Sequence, residues 1–231
     1  MIIGGYQKLT LIDYPGKLAT TVFTVGCNFR CPFCHNPELV NLSLPHGNIM
    51  EKEFFDFLRK RKGKLEAVCI TGGEPTLQSD LEDFIKKIKR RGLLVKLDSN
   101  GMRPDIIKKL LDKKLLDYIA MDIKSSLKNY GKTVGTKVDK DRIKLSVELV
   151  RHSGIGYEFR TTVVPGLHTE EDFEEIGKWL QGAKKYYLQV YRDQIILNPR
   201  LKKKTNGKSL DLKKIKKNIS KNFEIMEIRG D

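Results

Sequence analysis

The chain has 231 residues, 39% of them hydrophobic and 32% charged, with a formal net charge of +15. That length fits one domain, or one domain with a small appendage, and the apolar content permits a proper core. No apolar run is long enough to span a bilayer, and the opening Met-Ile-Ile-Gly-Gly-Tyr lacks both the charged and the apolar parts of an export signal. A cytoplasmic protein with reduced thiols is therefore expected.

Strand and helix signals alternate along the chain. Ala19–Val25 is β-branched and apolar, a buried-strand composition. A helix is expected from Asn48 to Lys62, with Asn48 as its cap, Glu51 completing a capping box and Gly63 ending it. Ala67–Thr71 is the second strand. Ser79–Arg91 is the clearest helix, with Leu81, Phe84, Ile85 and Ile88 on one face and Gly92 behind it. Leu94–Asp98 is the third strand, and Pro104 suits the first turn of a helix carrying Ile106, Ile107, Leu110 and Leu111. Then come strand Tyr118–Ile123, helix Lys140–Arg151, strand Tyr157–Val164, helix Thr169–Leu180 and strand Tyr186–Tyr191. Six βα units in series imply an α/β fold with a parallel sheet and helices outside. Six are too few for a closed eight-stranded barrel, so an open, curved partial (β/α)6 barrel with an N-terminal extension is expected over residues 1–198. Residues 199–231 read as a basic helix and strand appendage. Between Arg200 and Lys221 ten basic residues face the single acid Asp211. Leu212, Ile215 and Ile219 fall on one helical face there, so docking on the body with a solvated basic face is the favoured reading. A basic patch for nucleic acid finds no support from a stacking platform or RNA-binding motif.

The polar and glycine-rich clusters all fall at the carboxyl ends of strands, where such folds gather ligands. Cys27, Cys31 and Cys34 follow the first strand with C-x3-C-x2-C spacing. Three thiolates on one loop can converge on one metal centre, and thiolate suits iron–sulfur clusters and zinc. Structural zinc takes four protein ligands, so three fit a cluster better, although the adjacent His35 keeps zinc open. Gly72-Gly73-Glu74-Pro75 follows the second strand, where glycine lets a ligand approach the backbone. Asp98-Ser99-Asn100-Gly101 ends the third and Met121-Asp122-Ile123-Lys124 the fourth. Arg160 and Gln189 are polar residues within apolar strands; they either line half-exposed faces or contact a ligand. Cys69 reads as a small buried hydrophobe, and His46, His152 and His168 show no ligand spacing.

C-x3-C-x-aromatic-C, with Phe33 as the aromatic, resembles the signature of the radical S-adenosylmethionine (SAM) superfamily. The longer stretches Gln7–Gly16 and Gly26–Asn36 resemble its glycyl-radical-enzyme activating branch, most of all the activating proteins of anaerobic ribonucleoside-triphosphate reductase. The resemblance implies the same partial barrel, with Cys27, Cys31 and Cys34 holding a 4Fe–4S cluster whose fourth iron binds S-adenosylmethionine. It implies that the Gly72-Gly73-Glu74 backbone holds the methionine amino group. Asp98, Ser99, Met121 (through its carbonyl) and Asp122 would form a monovalent cation site beside the ligand carboxylate, with Lys124 nearby. Contacts from Phe33, Ser99, Asp122, Arg160, Val163 or Val164, and Gln189 to the cofactor would complete the pocket. The implied reaction is cleavage of S-adenosylmethionine, by an electron from flavodoxin or ferredoxin, to methionine and a 5′-deoxyadenosyl radical that abstracts hydrogen from a partner's glycine. A radical enzyme acting on a small, purine-like molecule and a zinc module binding nucleic acid are the alternatives.

Overall fold

The computed structural model describes residues 1–40, 48–192 and 195–230; His46 lies outside them. Eight strands form one sheet in chain order: β1 (Ile3–Thr10), β2 (Ala19–Thr24), β3 (Ala67–Gly72), β4 (Leu94–Ser99), β5 (Tyr118–Asp122), β6 (Gly156–Val163), β7 (Ala183–Val190) and β8 (Phe223–Arg229). β1 runs antiparallel to β2, and every later neighbour pair is parallel. Among the described residues no pairing joins β1 to β8, so the barrel is open, as expected. The six strands expected from the sequence are β2–β7. β1 was not anticipated, and β8 was expected only as an unplaced strand of the basic appendage, because Ile-Gly-Gly-Tyr-Gln-Lys-Leu-Thr and Phe-Glu-Ile-Met-Glu-Ile-Arg are mostly exposed or half-buried and lack a continuous apolar run.

Helices cover the outside: α1 (Glu51–Lys60), α2 (Leu81–Lys89), α3 (Pro104–Asp112), α4 (Tyr130–Val134), α5 (Lys140–Arg151), α6 (Glu170–Trp179), α7 (Leu201–Thr205) and α8 (Leu212–Ile219). The apolar face read for α2 is buried throughout, with Phe84 stacked on Phe54 of α1 at 5.7 Å. Asn48 does not cap α1. Met50 holds the cap position without a side-chain bond, because Ile49 donates its N–H to the Ile3 carbonyl and keeps the chain extended. Thr169 caps α6 through a full capping box with Asp172. α8 buries Ile215 and Ile219, and Asp211 caps it by accepting the Lys214 N–H at 2.9 Å. A Cβ on Gly177 of α6 would lie 3.0 Å from Ile219 Cβ, so a glycine there lets α8 come close. The chain then returns as β8 beside β7, and no helix among the described residues is long and apolar enough to cross a membrane.

Candidate active site

The carboxyl ends of β2–β5 surround a cavity of about 210 Å³. Its walls bring together Cys27, Phe33, Cys31, Cys34, Gly72, Gly73, Glu74, Asp98, Ser99, Asp122 and Lys124. Arg160, Val163 and Gln189 are not among them, whereas Asn100 and Thr162 are. Arg160 reaches the site from below, through Asp98 and Asp122.

The cysteine loop is pinned on four sides by backbone hydrogen bonds. Gly26 N–H donates to Leu39 O at 2.8 Å, Arg30 N–H to Val134 O at 2.9 Å, and Glu74 N–H to Gly26 O at 2.8 Å. From the far end of the chain, Leu197 and Asn198 N–H groups donate to the Cys34 and Pro32 carbonyls, each at 3.0 Å. Gly72 and Gly73 are glycines for a reason beyond access to a ligand. Gly72 has φ +113°, and a Cβ on Gly73 would lie 2.2 Å from Gly26 O. The second strand's loop is therefore fused to the cysteine loop by close backbone contact.

Burial pushes the Cys27 thiol up to about 11 and the Cys31 thiol up to about 12. Cys34 is raised by burial too, against a backbone N–H from Asn36. Phe29 N–H donates to Cys27 Sγ at 3.4 Å, the kind of bond that supports a ligating thiolate. All three cysteines are free. His35 also lines the cavity, with its Nε2 2.6 Å from the Arg192 carbonyl. Among the described residues no three His, Cys, Asp or Glu side chains converge on one metal ion. Three thiols around a ligand-sized cavity fit a multi-iron cluster, whose ligands bind separate irons. Cys69 is fully buried in a separate small cluster with Tyr14 and Tyr118.

Glu74 is 1% exposed, and its carboxylate is taken up by the protein. It accepts from Thr76 N at 3.2 Å, Thr76 Oγ1 at 2.5 Å, Ser99 Oγ at 2.8 Å and Asn100 N at 2.7 Å. Burial nevertheless raises its pKa. Asn100 carries the link onward by donating from Nδ2 to Asn28 Oδ1 at 2.7 Å. His168 is buried and structural: its Nδ1 accepts from Val164 N at 3.0 Å, which leaves Nε2 to donate to Lys124 O at 2.8 Å.

A column of charge runs beneath the cavity. Lys96 and Asp98 share one face of β4, as Glu158 and Arg160 share one face of β6. Ala120, in register between Asp98 and Glu158, leaves room for the long side chains. Lys96 Nζ donates to Asp98 Oδ1 at 2.5 Å and Arg160 Nη1 to Asp98 Oδ2 at 3.2 Å. Arg160 Nε and Lys124 Nζ donate to Asp122 Oδ1 and Oδ2 at 3.0 and 2.8 Å. Burial acts to raise both aspartates, but Arg160 with Lys96 or Lys124 outweighs it and both are lowered. Lys124 is raised, since Asp122 and Cys31 outweigh its burial. Sequence reading missed Lys96 and Glu158; a lysine and a glutamate inside predicted strands were the available signal.

Fold and site together define a protein that gathers sulfur ligands and a ligand cavity at the mouth of a partial barrel. Residues 21–180 match the radical SAM superfamily, and the chain belongs to it. Over 99% of its length it is 33% identical to a Methanocaldococcus jannaschii protein provisionally named a glycyl-radical enzyme activating enzyme, covering 95% of that protein. It is 29% identical to the pyruvate formate-lyase-activating enzyme of Staphylococcus epidermidis, over 75% of this chain and 73% of that one. In structure it is similar to Streptococcus suis SuiB bound to S-adenosylmethionine, with a TM-score of 0.67 and 16% identity. That match covers 90% of this chain but only 49% of SuiB, so the chain spans about half of that protein. It is thus a radical SAM enzyme homologous to glycyl-radical-enzyme activating enzymes, and its family uses a 4Fe–4S cluster with S-adenosylmethionine.

Proposed function

We propose that this chain activates the anaerobic ribonucleotide reductase, with flavodoxin or ferredoxin as its electron source. One observation carries the reading: Cys27, Cys31 and Cys34 share a single cavity with the Gly72-Gly73-Glu74 turn, Ser99 and Lys124. Cys27, Cys31 and Cys34 would hold a cluster that, once reduced, would supply the electron for cleavage of S-adenosylmethionine and so the hydrogen abstraction from a glycine of the partner.

The chain's own residues do the placing. The three cysteines would hold the cluster at the cavity mouth. The backbone of Gly72 and Gly73, exposed by the missing Cβ atoms, receives the amino group. Lys124, with donors beyond the one spent on Asp122, takes the carboxylate. Phe33 offers its ring to the adenine, while Val163 and Gln189 stand at the β6 and β7 ends for the adenosine. Arg160 acts through Asp122 rather than on the ligand. The choice of reductase rests on the likeness of residues 7–16 and 26–36 to its activating proteins.

The test is anaerobic reconstitution followed by mixing with the reductase. About four irons per chain, S-adenosylmethionine cleavage under dithionite and a glycyl-radical EPR signal on the reductase are expected. Cleavage without that signal, but with one on another glycyl radical enzyme, would remove the reductase as partner and keep the activase class.

A further inference from the structure

We propose that in this chain the Lys96 ammonium and the Arg160 guanidinium take the place of a bound monovalent cation, so that S-adenosylmethionine is held without one. The proposal rests on the pocket being the S-adenosylmethionine site.

A hard cation needs oxygen atoms with free lone pairs and a local excess of negative charge. The negative excess is not on offer, and each carboxylate oxygen already has a partner. All four carboxylate oxygens of Asp98 and Asp122 already accept from cationic side chains, at 2.5 to 3.2 Å. Three cations, Lys96, Lys124 and Arg160, surround these two carboxylates. The Ser99 hydroxyl is engaged as well, donating to Glu74 and accepting from Gly101 N at 3.1 Å. Met121 sits within the ladder between Ser99 and Phe159, its side chain fully buried.

Lys96 cannot step aside for an ion. Lys96 is 1% exposed and lies mid-strand, in register with Cys69 on one side and Tyr118 on the other. Releasing Asp98 to an ion would strand its ammonium in the interior, a far larger cost than an ion's weak attraction returns. Arg160 ties the two acids together, bonding Asp98 through Nη1 at 3.2 Å and Asp122 through Nε at 3.0 Å. Glu158 is held by Arg229 through two bonds, at 2.9 and 3.1 Å, and lies 3.9 Å from Arg160. A fourth positive charge would meet like charges in a medium that screens poorly. Lys96 is therefore a positioning residue: it fixes Asp98 and, through Arg160, the Asp122–Lys124 pair that faces the cavity.

The test begins with the metal-free apoprotein, melted at constant ionic strength in choline, sodium or potassium chloride. The wild type should melt at the same temperature in all three. Lys96→Gln, which frees an Asp98 oxygen and removes one positive charge, should gain a saturable, ion-specific rise. Lys96→Met should gain the same response without adding an amide oxygen. An ion-specific rise in the wild type, or folded variants with no such response, would overturn the proposal. Should the variants not fold, the wild-type comparison decides alone. In the reconstituted wild-type enzyme, S-adenosylmethionine affinity should move less than about twofold on exchanging potassium for choline, and a tenfold loss would also overturn it. Absence of S-adenosylmethionine binding in every salt would instead sink the reading of the pocket, leaving the melting result to stand.

Discussion

The Glu74 carboxylate accepts the backbone N–H of Asn100 at 2.7 Å, and the side chain of the same Asn100 reaches Asn28 in the cysteine loop. One buried acid thus ties the loops after β2, β3 and β4 into a single rim. Glu74→Gln replaces an oxygen that accepts with an NH2 that cannot, facing either the Ser99 and Thr76 donors or the Asn100 N–H. A loss of about 1–3 kcal/mol is expected in denaturant unfolding of the apoprotein, together with weaker S-adenosylmethionine binding. A variant as stable as the wild type that binds the cofactor equally well would show that the rim does not depend on this carboxylate.

The fused backbones at Gly73 make a sharper prediction. Gly73→Ala places a methyl 2.2 Å from Gly26 O and 2.8 Å from Leu39 O, both backbone atoms that cannot rotate away. About 2 kcal/mol or more should be lost, and iron retention should fall because Gly26 precedes the first cysteine. Gly5→Ala meets no atom within 4 Å and should change stability by about 0.5 kcal/mol or less. Melting temperature and iron content of the two variants, measured side by side, separate local crowding from a general intolerance of alanine.

The cysteines also differ among themselves in a testable way. Cys27→Ala, Cys31→Ala and Cys34→Ala should each abolish the reconstituted cluster's visible absorption. Cys69→Ala, in the interior of β3, should keep the full iron content and cost about 1 kcal/mol of packing. Loss of iron from the Cys69 variant would mean that a fourth sulfur takes part.

Much of this architecture is legible before any coordinates are seen, because the inner strands carry continuous apolar runs and α2 repeats its apolar residues at helical spacing. β1 is not legible, and β8 is legible only as a strand of the appendage, since glycine and charged residues interrupt both the apolar run and a clean alternation. The α1 cap was misread for a different reason: Asn48 has the right chemistry, but the Ile3–Ile49 pairing decides where the helix begins. At the site, spacing identifies the cysteines, while the Ser99 and Asn100 partners of Glu74 and the Arg160 partner of Asp98 come from strands far apart in sequence. Ser99 and Asn100 lie 25 and 26 residues beyond Glu74, and Arg160 lies 62 beyond Asp98. Register alone brings them together.

The basic segment is held by its apolar face. Ile219→Ala removes a residue only 3% exposed that packs where α6 carries Gly177, and a cost of about 2–4 kcal/mol is expected. Lys217→Ala on the same helix leaves that contact intact and should fall within about 0.5 kcal/mol of the wild type. Because Leu197 and Asn198 pin the cysteine loop just ahead of this segment, the Ile219 variant should also show faster amide exchange at those two N–H groups. Equal stability of the two variants would mean that α8 does not dock through Ile219.

The buried aspartates set the acid limit of stability. Asp98 and Asp122 both have folded values below the ordinary 3.8, because Arg160 with Lys96 or Lys124 overcomes the raising effect of burial. A carboxylate depressed in the folded state adds stability that is fully present above its unfolded value and is lost as pH falls through the folded one. Unfolding free energy should therefore hold near pH 5 to 7, as far as these two groups determine it, and drop steeply below about pH 4. Asp122→Asn removes one such carboxylate and leaves Lys124 and part of Arg160 without a counter-charge. It should cost about 3–5 kcal/mol at neutral pH and flatten the fall below pH 4, since the asparagine has no proton to gain. Chemical denaturation of the wild type and Asp122→Asn across that range measures both. An unchanged acid slope in the variant would assign the acid sensitivity to carboxylates elsewhere.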